Sequence, residues 1–111
     1  LLLREALVNL FENAGKYGYP NSIVNVICEK QKMVLIHIEN QGDKIKEKHW
    51  ERIFQRFYRI DKSRDRKAGG TGLGLAIVKH ITFVHGGEIK VSFSQNKKTR
   101  FTISLPLVPD K

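Results

Sequence analysis

The sequence contains little cysteine and little proline: one cysteine, Cys28, and three prolines in 111 residues. A single cysteine excludes an internal disulfide and a metal centre built from several thiolates. Cys28 lies in a stretch of alternating apolar residues, so we expect a thiol packed in the protein interior. The lack of a disulfide framework fits a chain that works in a reducing, cytosolic setting.

Long hydrophobic runs are also lacking. No apolar stretch approaches the roughly 20 residues that a membrane-spanning helix needs, and the sequence has no internal repeat. A chain of 111 residues is long enough for one modest domain and too short for two. Because the chain begins inside a predicted helix, with Leu1, Leu2 and Leu3, we expect it to be a piece of a longer protein.

Acidic residues are scarce: 11 Asp and Glu against 20 Lys and Arg give a net charge of +9. Between residues 44 and 67, ten basic residues and four acidic ones give this segment a net charge of +6. Such an excess predicts a polyanionic partner, whether nucleic acid, an acidic membrane surface or a polyphosphate. The alternative is a solvated loop and helix face without a charged partner.

Two segments have the apolar spacing of α-helices, and a third predicts a shorter helix. The first segment, LLLREALVNLFENAGKYGY, ends at Gly18 and Pro20. The second follows the glycines of GGTGLGL and is closed by Gly86 and Gly87. The short helix has an apolar face that we expect to lie in the core, formed by Trp50, Ile53, Phe54 and Phe57.

Four segments alternate as β-strands and form two pairs, 22–30 with 33–40 and 88–94 with 100–106. Between the pairs, residues 58–70 form a basic loop that ends in glycine, and we expect this loop to be mobile. The order of helices and strands predicts a two-layer α+β sandwich in which the helices cover one face of the sheet.

The stretch GGTGLGLAIVKH, residues 69–80, places four glycines at the start of a helix, although glycine costs roughly 1 kcal/mol relative to alanine inside one. A helix N-terminus has unpaired N–H groups and about half a positive charge, so it can bind phosphate. Side chains at Gly70, Gly72 and Gly74 would keep the phosphate away from the backbone. The stretch indicates a phosphate cradle, with a simple tight turn as the alternative. No Lys-Ser or Lys-Thr follows, so it is not a P-loop.

The first helix carries Asn9 and Asn13 four residues apart on one face, and Lys16 continues that face. Amide oxygens can ligate Mg²⁺, which prefers oxygen ligands and usually keeps waters and substrate phosphates in its shell. A lysine one turn along can meet phosphate oxygens. The pattern indicates a candidate site for Mg²⁺ and phosphate, and the alternative is a solvent-exposed polar face.

Five segments, taken together and in order, resemble the N, G1, F and G2 boxes and the final strand motif of the catalytic ATP-binding domain of sensor histidine kinases. The resemblance covers almost the whole chain and implies a single domain over residues 1–111. It implies the Bergerat fold, an α+β sandwich with helices on one face of a mixed sheet, here without its N-terminal strand. The segments are NLFENAGKYG, IENQGDKI, IFQRFYRIDKSR, GGTGLGLAIVKHITFVHGGEI and KTRFTISLP.

The same resemblance implies ATP and Mg²⁺ as cofactors and assigns roles to residues. Asn13, together with Asn9, would hold the metal, and Asn9, Lys16 and Arg59 would act at the phosphates during transfer. Phe54 would anchor the base of a mobile lid together with Phe57. The residues that would contact the nucleotide are Asn9, Asn13, Lys16, Tyr17, Asn40, Gly42, Ile45, Gly70, Thr71, Gly72, Leu73 and Gly74.

Three positions depart from the family pattern. Asn40 stands where many members have an aspartate that binds the adenine amino group, and an amide can accept the same hydrogen bond as a neutral partner. Lys44 and Lys98 stand where glycines are usual. These departures concern the adenine pocket and the turns around it.

Asn9 bears on the chemistry that the resemblance implies. Hydrolytic relatives in this superfamily have a glutamate four residues before the metal-binding asparagine, where it activates water; here that position is Asn9, which cannot act as a base. Glu12 lies about 100° around the helix from Asn13, and we expect it at the surface or in contact with the domain that carries the phosphoryl acceptor. Phosphoryl transfer needs mostly positioning and charge neutralisation, so these residues favour transfer to a supplied nucleophile.

The acceptor in this family is a histidine followed by an acidic residue, on a separate helical dimerisation domain. The residues that follow His37, His49, His80 and His85 are Ile, Trp, Ile and Gly, so we expect four structural histidines and an acceptor outside this chain. The implied partners are the dimerisation domain of the same kinase and a response regulator, and no nucleic acid. The parent protein would be a membrane-anchored dimer and this chain a monomeric cytoplasmic piece.

Two other classes of function stay open. An ATPase or nucleotide-driven clamp on the same fold is one, and Asn9 argues against it. A basic nucleic-acid-binding module is the other, and it would need aromatic side chains interleaved with the basic residues on an exposed face. Phe54 and Phe57 share a predicted helical face with Ile53 and are expected in the core, which argues against the module.

Overall fold

The computed structural model describes residues 2–60, 72–94 and 96–107. Helix α1 spans Leu2–Tyr17 and helix α2 spans Gly74–Val84. The strands are β1 (Asn25–Lys30), β2 (Met33–Asn40), β3 (Glu88–Phe93) and β4 (Thr99–Pro106). Neither helix in these ranges has the length and apolar character that a membrane crossing requires.

The strands form a four-stranded sheet in the order β1-β2-β4-β3. All three pairings among the described strands are antiparallel. The expected mixed sheet would also contain a parallel pairing, which is not found among these strands. The two helices pack against each other and against the sheet. The predicted α+β class with helices on one face of the sheet is confirmed.

The core lies between the sheet and the two helices. Residues four apart on α1, namely Ala6, Leu10 and Ala14, are buried because they share the face turned towards the sheet. Ile38 of β2 and Phe101 of β4 are buried on the facing side of the sheet, as the alternation of side chains along a strand requires. Burial of these apolar side chains is the main favourable contribution to folding.

Helix α1 ends where the sequence predicts, since its last residue, Tyr17, precedes Gly18. The Gly18 N–H donates to the Ala14 carbonyl oxygen at 2.9 Å. Helix α2 is followed by Gly86, whose φ of +76° is the left-handed conformation that favours glycine at a helix end. The predicted stops of both helices are therefore confirmed.

The short helix expected around Trp50 is instead two 3-10 turns, Glu47–His49 and Arg52–Phe54. Ile53 and Phe54 are buried as expected. The prediction for Phe57 is wrong: its side chain is 67% exposed and its φ is +64°. The helical turn has ended before this residue, so helical periodicity no longer decides where its side chain lies.

The prediction that Cys28 is a packed thiol is also wrong, because this side chain is exposed. Cys28 pairs with Ile36 across the β1–β2 ladder and stands on the same side of the sheet as Val26, which is exposed as well. The helices contact β2, β3 and β4 and leave this face of β1 uncovered. An alternating pattern shows which side a residue takes, but not whether a second layer covers that side.

Gly87 lies where the chain leaves α2 and passes close to β4. A Cβ atom built on Gly87 would overlap the carbonyl oxygen of Ser104 and would lie 3.0 Å from the Leu105 side chain. Gly87→Ala should lower the free energy of unfolding by about 2–3 kcal/mol, because backbone atoms must shift to admit the methyl group. Urea denaturation followed by circular dichroism measures this change.

Gly15 provides the matched control, since a Cβ built on this α1 residue has nothing within 4 Å. Gly15→Ala should raise the free energy of unfolding by roughly 0.5–1 kcal/mol, through the higher helix propensity of alanine. Equal stabilities of the two variants would contradict the close approach at Gly87.

Candidate functional site

A cavity of about 560 Å³ opens between the two helices and the ends of β2 and β4. This volume lies within the range of roughly 300–1,000 Å³ that is typical of small-molecule sites. Its helix wall is formed by Asn9, Asn13 and Lys16 of α1 and by Gly72, Leu73 and Gly74 at the start of α2. Its sheet wall is formed by Asn40, Thr99 and Phe101 together with Ile45 and Ile53.

The helix wall presents amide oxygen to the cavity. The Asn9 Nδ2 donates to the Glu5 carbonyl oxygen at 3.0 Å, one turn back along α1. The Asn9 Oδ1 is thereby turned towards α2, and a Cβ built on Gly74 would lie 3.3 Å from it. Glycine at position 74 leaves space beside this oxygen. The four-residue spacing places Asn13 on the same wall, one turn further along α1.

The start of α2 faces these amides. The Ile77 N–H donates to the Leu73 carbonyl oxygen at 3.0 Å, and Leu73 makes no side-chain cap. The N–H groups of the first turn of a helix have no acceptor within it and carry a positive partial charge. This wall therefore combines amide oxygens, which suit a cation, with N–H donors, which suit an anion.

Gly72 fixes the approach of the chain to α2. Its φ is +79°, and its carbonyl oxygen accepts a hydrogen bond of 2.6 Å from the Phe57 N–H. A Cβ built on Gly72 would lie 2.8 Å from the Phe57 Cα, so no larger residue fits without a backbone shift. This contact ties the start of α2 to the chain that follows the second 3-10 turn.

The sheet wall is largely apolar and contains two buried polar side chains. Asn40, at the end of β2, is 4% exposed, and Thr99 is its partner across the β2–β4 ladder. The Asn40 Nδ2 would lie 3.1 Å from a Cβ built on Gly42, and Gly42 pairs with Gly18 in an isolated bridge. The glycines at positions 18 and 42 thus make room for the Asn40 amide.

Charged side chains stand around the cavity. Asp43 and Lys44 line it; the Asp43 carboxylate accepts a hydrogen bond of 3.1 Å from the Tyr19 hydroxyl. The Lys44 Nζ lies 5.4 Å from the centre of the Phe93 ring, within the distance of a cation–π contact. Lys98 stands in the β3–β4 turn, where the Ser94 N–H donates to its carbonyl oxygen at 2.8 Å.

Most of the site residues predicted from sequence come together in this cavity. Gly42 lies behind Asn40, and Arg59 is half-buried and is not among the lining residues. Gly70 and Thr71 lie outside the described residues, as does most of the predicted mobile loop 58–70. The predicted residues that line the cavity are Asn9, Asn13, Lys16, Tyr17, Asn40, Ile45, Gly72, Leu73 and Gly74.

Sequence reasoning missed Thr99, Phe101 and Tyr58, which line the same cavity. The two β4 residues reach it because β4 pairs with β2, so that Thr99 lies opposite Asn40 and Phe101 opposite Ile38. That pairing joins segments far apart in the chain, and no local pattern encodes it. Glu12, expected at the surface, is exposed and also lines the cavity.

Three of the four histidines form hydrogen bonds that fit a structural role. His37 is buried, with its ring nitrogens 2.9 Å from the Glu29 carboxylate and 2.8 Å from the Thr102 hydroxyl. The His49 Nδ1 lies 2.6 Å from the Tyr58 hydroxyl. The His85 Nδ1 donates to a carbonyl oxygen of α2 at 2.9 Å. His80 and His85 are both exposed, and His80 makes no side-chain hydrogen bond with the described residues.

Residues 1–109 match the family described as histidine kinase-, DNA gyrase B- and HSP90-like ATPases. The chain is 46% identical over 107 residues to the sensor histidine kinase CusS of Escherichia coli O157:H7, a match that covers 96% of this chain and 22% of CusS. Among solved structures, the mycobacterial sensor histidine kinase MprB superposes with a TM-score of 0.83 at 31% identity, covering 98% of this chain and 72% of that one.

Full-length ShkA, solved in complex with AMPPNP, superposes with a TM-score of 0.81 at 25% identity, over 98% of this chain and 22% of ShkA. The chain spans about a fifth of the length of CusS and of ShkA, so both contain much more than the part that matches. The family match, the sequence identity and the superpositions agree with the order of motifs along the chain. The chain belongs to the family of histidine kinase-, DNA gyrase B- and HSP90-like ATPases, and the relatives that it resembles are sensor histidine kinases.

Proposed function

We propose that this chain is the ATP-binding, phosphoryl-donating domain of a sensor histidine kinase. It binds Mg-ATP and donates the γ-phosphoryl group to a histidine on a separate dimerisation domain. The observation that carries this proposal is the helix wall, where Asn9 and Asn13 of α1 line one cavity together with the start of α2. That arrangement offers ligands to a metal cation and to the phosphates beside it.

The donor set fits Mg²⁺ that is shared with a nucleotide. Within the described ranges, no group of three or more His, Cys, Asp and Glu side chains is placed to hold a metal ion. Asn13 and Asn9 offer neutral amide oxygens, so phosphate oxygens and water must supply the rest of the shell. When bound, the metal would neutralise charge on the phosphates, and Lys16, which lines the same wall, would add a positive charge there.

The sheet wall suits a nucleobase. Ile45, Ile53 and Phe101 give it an apolar surface, and Asn40 and Thr99 provide hydrogen-bonding groups within that surface. A flat heteroaromatic ring buried against such a wall gains from the removal of apolar area from water and is oriented by the few polar groups. Base on the sheet wall and phosphates on the helix wall place ATP across the cavity.

The surroundings of this domain are part of the same proposal. The acceptor dimerisation domain belongs to the same kinase, and the phosphoryl group passes on to a response regulator. The parent protein is a membrane-anchored dimer, this chain is one cytoplasmic domain of it and is monomeric when isolated, and nucleic acid is not a partner. CusS and MprB, which are both named sensor histidine kinases, support the assignment to such a kinase.

ATP hydrolysis is the second candidate function, and one observation favours it. Glu12 lines the cavity, so a carboxylate stands near the proposed phosphate site although Asn9 occupies the position of the water-activating glutamate. Release of inorganic phosphate from Mg-ATP by the isolated chain, lost in Glu12→Gln, would support hydrolysis. Phosphate release no faster than in buffer would support transfer alone.

Titration with Mg-ATP, followed by amide NMR, tests the proposed function. We expect saturable shifts at amides of the helix wall and the sheet wall, including Asn13, Leu73 and Asn40, and much smaller shifts in β1, which lies away from the cavity. The shifts at Asn13 should weaken when Mg²⁺ is removed with a chelator. If the ATP titration does not saturate, and a random DNA duplex binds more tightly than ATP and in a salt-dependent way, a nucleic-acid-binding module would be favoured instead.

A further inference from the structure

Among the described residues, the two polar side chains of the sheet wall have no hydrogen-bond partner. Asn40 and Thr99 are each 4% exposed and are register partners on β2 and β4. Within residues 2–60, 72–94 and 96–107, neither side chain makes a hydrogen bond. In those ranges, every side-chain nitrogen or oxygen that is sealed from solvent has a hydrogen-bond partner. Because the polar atoms of Asn40 and Thr99 have none, they are not sealed, and both residues line the cavity.

The position of the Asn40 amide is fixed by its neighbours. Its Nδ2 lies close to Gly42 and Gly18, where built Cβ atoms would stand 3.1 Å and 3.5 Å away. Phe101 and Ile53 add apolar surface to the same part of the cavity. A ligand ring on this wall therefore meets one amide and one hydroxyl within an apolar surface.

Both groups can donate and accept hydrogen bonds. The amide of asparagine has an accepting oxygen and a donating nitrogen, and rotation by half a turn exchanges them; the threonine hydroxyl also does both. A carboxylate at position 40 could only accept. A 6-aminopurine offers a donor at the 6-position and an acceptor at N1, whereas a 6-oxopurine offers the reverse. The pair Asn40 and Thr99 can satisfy either pattern.

We propose that Asn40 and Thr99 form a purine-reading pair that admits 6-oxopurine nucleoside triphosphates alongside ATP. This inference rests on the proposed function, because it concerns the nucleobase of the nucleotide in the same cavity. It makes Asn40 a specificity-determining residue, since its neutral amide can form a hydrogen bond with either an amino or an oxo group at the 6-position of the base.

Inosine triphosphate is the suitable probe because it differs from ATP only at the 6-position and the adjoining N1 hydrogen. Isothermal titration of the folded chain with Mg-ATP and Mg-ITP should give dissociation constants within about tenfold of each other. In Asn40→Asp the carboxylate faces the 6-oxo group, acceptor against acceptor, so Mg-ITP should bind about 100-fold more weakly relative to Mg-ATP. Asn96→Asp makes the same charge change at an exposed turn and should leave the ratio unchanged.

The outcomes separate this inference from the proposed function. Binding of ATP with ITP more than about 100-fold weaker overturns the inference alone, and failure of both nucleotides to bind overturns the proposed function as well. An unchanged ITP to ATP ratio in folded Asn40→Asp overturns the role of Asn40. If that variant does not fold, Asn40→Ala should weaken both nucleotides by a similar factor, and unchanged affinity for either one overturns the pair.

Discussion

Asn13→Ala is expected to lower the affinity for Mg-ATP at least about 100-fold, which corresponds to about 2.7 kcal/mol of binding free energy. Asn13 is one of two amide side chains on the helix wall, and within the described ranges no cluster of carboxylates is available to replace it as a metal ligand. Loss of its oxygen leaves Asn9, the phosphates and water to hold the cation. The affinity measured with excess chelator should be the same in the variant and the unsubstituted chain.

The same substitution should leave the fold intact. Asn13 is half-buried on α1, and alanine has a higher helix propensity than asparagine by roughly 0.5 kcal/mol. The free energy of unfolding in urea should therefore stay unchanged or rise slightly. Asn96→Ala, at an exposed turn between β3 and β4, is the matched control and should affect neither binding nor stability. A folded Asn13→Ala chain with undiminished Mg²⁺-dependent affinity would remove this residue from the site.

The helix wall could be predicted from sequence because its determinants are local. Asn9, Asn13 and Lys16 share a face because of the period of an α-helix. The glycines at the start of α2 are close to one another in the sequence. The stop of α1 at Tyr17 likewise follows from Gly18 and Pro20. Each of these features is decided by residues within a few positions of one another.

The sheet wall could be predicted only in part. Asn40 and Ile45 are identified by the resemblance, but Thr99 and Phe101 enter the cavity through the register of β4 against β2. Register depends on how the whole sheet buries its apolar face, and so it is a property of the assembled fold. The expectation for Cys28 was wrong for the same reason, since the sequence of a strand does not show whether helices cover it.

Phe57 shows a different limit. Its spacing from Ile53 fits a helix, but the chain becomes extended at Gln55, with ψ of 147°, and Phe57 then takes a positive φ. Its N–H donates to the Gly72 carbonyl oxygen, a contact between residues 15 positions apart. Helical periodicity therefore gave the wrong side for this ring, and the exposure of Phe57 weakens the argument against nucleic acid that was based on burial of both phenylalanines.

The isolated chain is expected to bind ATP without phosphorylating itself, and transfer is expected only when an acceptor domain is supplied. Each nucleotide contact proposed here comes from the chain itself, so binding does not depend on a partner. Of the four histidines, His37, His49 and His85 are held in hydrogen bonds. His80 is exposed but is followed by Ile81, not by the acidic residue of the acceptor pattern. Incubation with γ-labelled ATP should therefore leave the chain unlabelled.

Addition of a dimerisation domain bearing an acceptor histidine should produce label on that domain. Transfer should be faster when the two are joined covalently, since a flexible tether raises the effective concentration into the roughly millimolar range. His80→Ala, which removes a histidine exposed on α2, is the control and should transfer as well as the unsubstituted chain. Label on the isolated chain that is lost in acid and survives alkali would identify one of its own histidines as an acceptor. If His80→Ala abolished that label, α2 would carry the acceptor, and the proposal of a separate acceptor domain would be wrong.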